Sequence, residues 1–314
     1  MAIKNFRGFQ QAEKELLFME RWGIKSLFIT DGTYPERLRH CPDAPILLYT
    51  KGKFLTEHPR VIAVVGSRRM TSYGADRCRE IIADLSHLHP LIISGLAHGV
   101  DACAHRAALE NGLPTAAVLG HGLDRIYPAI NRKLARMILD NGFLISEFPS
   151  GSIAGKDHFP RRNRIIAGLC DAIIVIEAAV TGGALITANL GSGYNRDVFA
   201  FPGRTTDKYS QGCNKLIRIN KAHLLESAAD ISYIMNWNLE KNPNSKQKML
   251  FIDLTEQEKQ VADFLKTRNE SSIDNIVRGT GLSLPVSTSI LLELEFKGVV
   301  RTLPGKRYQL LATN

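Results

Sequence analysis

The stretch VIAVVGSRR at residues 61–69 decides the fold: five apolar residues, all but Ala63 β-branched, run straight into Gly66, Ser67 and two arginines. A strand without apolar–polar alternation is covered on both faces, which is the condition of a parallel sheet layered between helices. The same kind of run recurs as LIISG at 91–95, TAAVLG at 115–120, FLISEF at 143–148, DAIIVIEA at 171–178 and VFAFPG at 198–203. Helical-length segments lie between them at about 73–87, 100–111, 130–141, 163–170 and 184–193, and several close on Gly. Crossovers of this length suit βαβ units. The chain is therefore expected to be α/β, with an extended Rossmann-like, mainly parallel sheet over residues 57–235.

Outward from that core, residues 1–56 hold an amphipathic stretch around 12–22 and a turn-rich segment with Asp31, Gly32, Pro35, Pro42 and Pro45, expected to pack on the core as an extension. NWNLEKNPNSKQK at 236–248 is polar, contains Pro243 and has no periodicity, as a linker does. In residues 249–314, Thr255 and Glu258 stand at capping-box spacing, helical patterns follow at 272–280 and 284–297, and Pro304-Gly305 centres a hairpin at 299–311. Three helices and a two-stranded wing are the order of a small C-terminal winged-helix domain.

Forty Lys and Arg against 31 Asp and Glu give the 314 residues a charge of +9 and favour a polyanionic partner. No run resembles a signal peptide or approaches the ~20 apolar residues of a membrane span, so no membrane partner and a cytoplasmic location are expected. The five cysteines never form a C-x-x-C pair and read as reduced, mostly buried thiols. His98, His105 and His121 lack metal-ligand spacing, and neither a metal nor a cofactor is expected.

In an open parallel sheet, ligands bind beyond the carboxyl ends of the strands, where helix N-termini present free N–H groups to anions. The unusual residues gather there. Gly66 permits close backbone approach, Ser67 can donate to a phosphate and Arg68 offers a charged fork, without the later glycines of a dinucleotide fingerprint. The second strand ends in Ser94-Gly95-Leu96-Ala97-His98-Gly99, a candidate nest of N–H groups in which Ser94, Gly95 and Gly99 are taken as site residues. KDHFPRRNR at 156–164 is the densest signal, four basic residues with one acid and an aromatic. Lys156, Arg162, Asn163 and Arg164 suit successive phosphates, and Phe159 suits a base. Gly182-Gly183 opens another helix on the same edge as a further anion cradle. Asp101 can cap the helix it begins, and Glu147 and Glu177 are expected to orient the arginines, since no nucleophile accompanies them.

These motifs, in this order, resemble the bacterial DNA-processing protein A family (DprA, also called Smf). The match comprises AVVGSR at 63–68, ISGLAHGVD at 93–101, HRAAL at 105–109, AVLG-x-G-L-D-x-x-YP at 117–128, SEFP at 146–149, FPRRNRIIAGL at 159–169, VIEA-x-x-x-GGALITA at 175–188, PGR at 202–204 and GCNKLI at 212–217. The resemblance implies an extended Rossmann-fold homodimer that binds single-stranded DNA without sequence specificity and helps load the RecA recombinase during natural transformation. It places the basic pocket on Arg68, the 94–99 loop, Lys156, Phe159 and residues 162–164. Many relatives carry an N-terminal helix-hairpin-helix or SAM-like module, whereas about thirty residues precede Tyr34-Pro35 here, so that module is expected to be absent or removed. His121 replaces a usually small loop residue, and Lys221-Ala222 a usual Gly-Ala pair.

Two other classes compete. Nucleotide phosphoribohydrolases on a related fold carry P-G-G-x-G-T-x-x-E, but aligning Gly182-Gly183 puts Leu185 at the third glycine and Asn189 at the glutamate, removing the general acid–base group. A duplex-reading transcription factor would have a basic winged helix, whereas residues 249–314 hold eight cations and eight acids.

Overall fold

The structure is a computed structural model that describes residues 8–55, 58–155, 157–237, 254–268 and 270–311. The chain forms two compact units, Met1–Asn238 and Leu239–Asn314. The first contains strands β1 (Lys25–Phe28), β2 (Leu47–Gly52), β3 (Val61–Val65), β4 (Leu91–Ser94), β5 (Thr115–Leu119), β6 (Gly142–Ser146), β7 (Ala172–Val175), β8 (Asp197–Ala200) and β9 (His223–Leu224). Its helices are α1 (Phe9–Trp22), α2 (Glu36–Arg39), α3 (Ser72–Asp84), α4 (Val100–Glu110), α5 (Arg132–Asn141), α6 (His158–Leu169), α7 (Gly183–Gly193), α8 (Gln211–Arg218) and α9 (Ala228–Ile234).

The strands form one sheet in the order β1-β2-β6-β5-β4-β3-β7-β8-β9, parallel from β6 to β9. The chain order reverses at β3, which pairs with β4 on one side and β7 on the other, the topological switch point where such sheets bind ligands. Strand β3 shows why its sequence is apolar throughout. Val61, Ala63 and Val65 pack with Ile165, Ile166 and Leu169 of α6 and Ala184 of α7, while Ile62 and Val64 pack with Ile81 and Ile82 of α3 and Val100 of α4. Each face of a two-residue period thus meets its own helical layer.

The segment expected as an extension is part of this sheet. Strand β2 pairs antiparallel with β6, Tyr49 opposite Ser146, and β1 pairs antiparallel with β2. Both are short and mix polar with apolar residues, and β2 follows Pro42 and Pro45, so their pattern reads as turns. The expected 163–170 helix starts earlier, at His158.

In the second unit, α10 (Glu256–Lys266), β10 (Ser271–Ser272), α11 (Ile273–Thr280), α12 (Leu284–Phe296), β11 (Val300–Leu303) and β12 (Arg307–Leu310) form a winged helix. The capping box is present: the Glu258 amide donates to Thr255 Oγ1, 3.3 Å, and the Thr255 amide to Glu258 Oε2, 2.7 Å. The wing β11–β12 gains β10 as a third strand. Most of the linker read at 236–248, and Lys156, lie outside the described residues. All five cysteines are free and buried, and among the described residues no helix is long and apolar enough to cross a membrane.

Candidate nucleic-acid interface

Four segments converge at the carboxyl edge of the sheet. The turn after β3 carries Gly66, Ser67 and Arg68, and the loop after β4 packs directly on it: Val100 N–H donates to Ser67 O at 3.2 Å. Gly99 has φ +76°, and a Cβ there would lie 2.2 Å from Ser67 O, so only glycine allows this approach. The start of α6 lies over the end of β5, where His158 Nδ1 donates to Gly120 O at 3.2 Å and its ring stacks on Phe148 at 4.1 Å. Across this junction the exposed Arg68 guanidinium sits 4.9 Å from the Phe159 ring centroid. The fourth segment, exposed Gly182 and Gly183 at the start of α7, is tied in by Asn163, whose Nδ2 donates to Gly183 O at 3.3 Å.

The expected site residues divide by depth. Arg68, half-buried Phe159, Ser67, Gly182 and Gly183 reach the surface. Ser94 is buried and its hydroxyl donates to Val64 O at 2.6 Å, so it supports the loop from beneath. Arg162 is only 4% exposed; its Nη1 donates to Val118 O at 3.0 Å, and a Cβ on Gly95 would fall 1.4 Å from Nη1. Gly95 therefore makes room for a buried cation as well as shaping a loop. Arg164 donates to the Asp43 carbonyl and pairs with Glu147, which also lies 3.5 Å from Arg161. Asn163 is buried behind Gly183.

Burial pulls the Arg162 guanidinium below its ordinary value, opposed by the Asp101 carboxylate and helped by the Arg68 cation. Burial likewise raises the Asp101 carboxyl, opposed by Arg162 and by the Ala97 amide that donates to Asp101 Oδ2 at 3.3 Å. Asp101 thus closes the 94–99 loop rather than capping the free end of α4. Glu147 orients two arginines as expected. Glu177 instead holds the N-terminus of α3, accepting from Thr71 N at 2.9 Å and Thr71 Oγ1 at 2.5 Å. His121 is accommodated in full: Nδ1 donates to Gly122 O at 2.9 Å and Nε2 accepts from Tyr127 N at 3.3 Å. Among the described residues no cluster of His, Cys, Asp and Glu has the makings of a metal site.

Sequence reasoning passed over Arg161, which is 59% exposed with its guanidinium 5.1 Å over the Phe148 ring. Helical periodicity was the available signal. Arg162, Ile165, Ile166 and Leu169 fall at i, i+3, i+4 and i+7 and form the buried stripe, so Arg161 and Arg164 must face elsewhere.

The chain matches a family described as DNA recombination-mediator protein A over residues 25–236 and the DprA winged helix domain over residues 249–306. It belongs to the DprA family. It is 45% identical over 207 residues to the DNA processing protein DprA of Streptococcus pneumoniae, covering 66% of this chain and 72% of that protein. Protein Smf of Synechocystis sp. is 34% identical over 311 residues, 89% of this chain and 78% of that one. The S. pneumoniae DprA crystal structure superposes with a TM-score of 0.63 at 40% identity, over 69% of this chain and 77% of that one. DNA processing protein A of Helicobacter pylori, solved to describe its single-stranded DNA binding mode, gives a TM-score of 0.62 at 27% identity, over 69% and 97%. The family is one of recombination mediators, and of the motifs that resemble it, the residues after β3, the 94–99 loop, the start of α6 and Gly182-Gly183 meet at the sheet edge described above.

Proposed function

We propose that this chain is a non-catalytic, single-stranded-DNA-binding recombination mediator that protects incoming DNA and loads RecA in natural transformation, acting as a cytoplasmic homodimer. The observation that carries the reading is the pairing of Arg68 with Phe159 at one exposed sheet edge. A cation beside an aromatic face serves the two surfaces a single strand offers, phosphate and unpaired base, whereas a duplex hides the second. Backbone amides at Gly182-Gly183 add sequence-independent anion binding. The H. pylori relative's single-strand binding mode supports the same substrate.

A phosphoribohydrolase reading finds no support at its decisive position. Asn189 stands where the glutamate belongs, its Nδ2 donating to Leu185 O at 2.8 Å and its Oδ1 accepting from Lys221 Nζ at 2.8 Å.

The test is nuclease protection of a single strand together with RecA filament assembly on strands precoated with single-strand-binding protein. The protein should slow digestion and shorten the lag of assembly. Protection without faster assembly would leave a binding protein and refute the mediator role.

A further inference from the structure

We infer that Tyr127 is a second base-stacking subsite beside Phe159, so that two successive unpaired bases of one strand lie on a continuous Phe159–Tyr127 surface. The inference rests on the single-strand reading above and extends it to a residue outside the basic cluster. The two ring centroids are 6.3 Å apart with planes inclined at 40°, and Tyr127 is 53% exposed. A base sandwiched between two rings needs about 3.5 Å of contact on each side, or roughly 7 Å between parallel planes. The rings are too close and too inclined for that, so they form one bent platform with two outward faces.

The spacing also selects the ligand. Bases in a stacked strand rise about 3.4 Å per nucleotide, so reaching two centroids 6.3 Å apart requires adjacent bases to splay. A single strand can do this, and a paired strand cannot without losing its own stacking.

Tyr127 is fixed on both sides of its position. Its amide donates to Nε2 of buried His121, and Pro128 O accepts from Asn131 N at 3.0 Å. The Asn131 side chain in turn donates to Leu96 O at 2.9 Å, in the loop that lines the Arg68 turn. Burial lowers the His121 pKa, which keeps Nε2 an acceptor near neutrality. With the main chain held this way, only the side-chain torsions of Tyr127 remain to be ordered when a base arrives. On the neighbouring ring, the Arg68 guanidinium occupies the Phe159 face in the free protein. A base arriving there sends that cation toward the adjoining phosphate and leaves the Tyr127 face for the next base.

The experiment compares the 314-residue protein with Tyr127→Ala, Tyr127→Leu and Tyr127→Phe on a labelled twelve-nucleotide single strand and on the same strand made wholly of abasic residues. Tyr127→Ala and Tyr127→Leu should each weaken binding to the base-bearing strand about 5-fold or more. Tyr127→Phe should stay within about twofold of the parent protein, and all four proteins should bind the abasic strand alike. Parental affinity of the Leu variant on the base-bearing strand overturns the subsite. So does a loss of the same size on the abasic strand, which would assign Tyr127 to the backbone or to loop structure. A parent protein that binds abasic and base-bearing strands equally refutes stacking at Phe159 too, and with it the broader reading.

Discussion

Gly95→Ala isolates the feature least visible from outside, the burial of Arg162 under the 94–99 loop. The added Cβ would stand 1.4 Å from Nη1 and 2.3 Å from Cζ of Arg162. An arginine end can usually swing away, but this one is enclosed, and moving it breaks the 3.0 Å bond to Val118 O and withdraws it from Asp101. Losing a hydrogen bond to a buried charged group costs about 1.5–3 kcal/mol, and overpacking adds about 1–3 kcal/mol. The expected destabilisation is thus about 3 kcal/mol or more, a large part of a typical domain's stability. Guanidinium denaturation reads it as a lower midpoint at constant slope. In an Arg162→Ala background the clash is gone, so the same glycine substitution should cost less than about 1 kcal/mol. A Gly95→Ala protein within 0.5 kcal/mol of the parent, or an equal penalty in both backgrounds, would refute the packing of Arg162 on Gly95.

Three further outcomes are expected. Arg68→Ala should weaken single-strand binding and flatten the salt dependence by about one phosphate, roughly 0.7 in log–log slope, whereas Phe159→Ala should cost about 1–3 kcal/mol with the slope unchanged; matching slopes in the two variants would contradict the division of labour. His105 is fully buried, donates from Nδ1 to Thr115 Oγ1 at 2.7 Å, and is held to a pKa of about 3 by burial and by the Arg162 and Arg106 cations. The unfolded chain protonates near 6.5 and the folded one not until about 3, so stability should fall as pH drops below 6.5, by up to about 1.4 kcal/mol per unit; His105→Gln should flatten that fall in denaturation at pH 6.5 and 5, and an unchanged fall would contradict it. Deleting residues 241–314 removes a domain at 249–314 whose eight cations balance eight acids, together with three linker lysines; single-strand affinity should change by less than about 1 kcal/mol in an equilibrium titration, and loss of most binding would move the DNA surface to the winged helix.

Sequence made the central strands legible because burial on both faces leaves no polar residue in β3 and little in its neighbours. Strands β1 and β2 escaped notice because an edge pair of four and six residues needs no continuous apolar run. At the site, Arg68 and the glycine loops could be placed on one edge from strand ends, and Phe159 was marked by the basic residues around it. Depth could not: charge density in 156–164 marks an interface but says nothing of which arginine is enclosed. Arg162 lies under Gly95, Arg164 is held by Asp43 and Glu147, and Glu177 serves Thr71, all through partners distant in sequence. Those pairings are set by tertiary packing, which residue spacing along the chain does not encode.

The most direct test is a salt series of equilibrium titrations with a labelled oligonucleotide, single-stranded and as its duplex, in several sequences. Single strands should bind more tightly than duplex at every salt concentration, with a log–log slope of several times −0.7 and little change among sequences. A flat salt response, or equal affinity for the duplex, would contradict a surface that reads phosphate and unpaired base together.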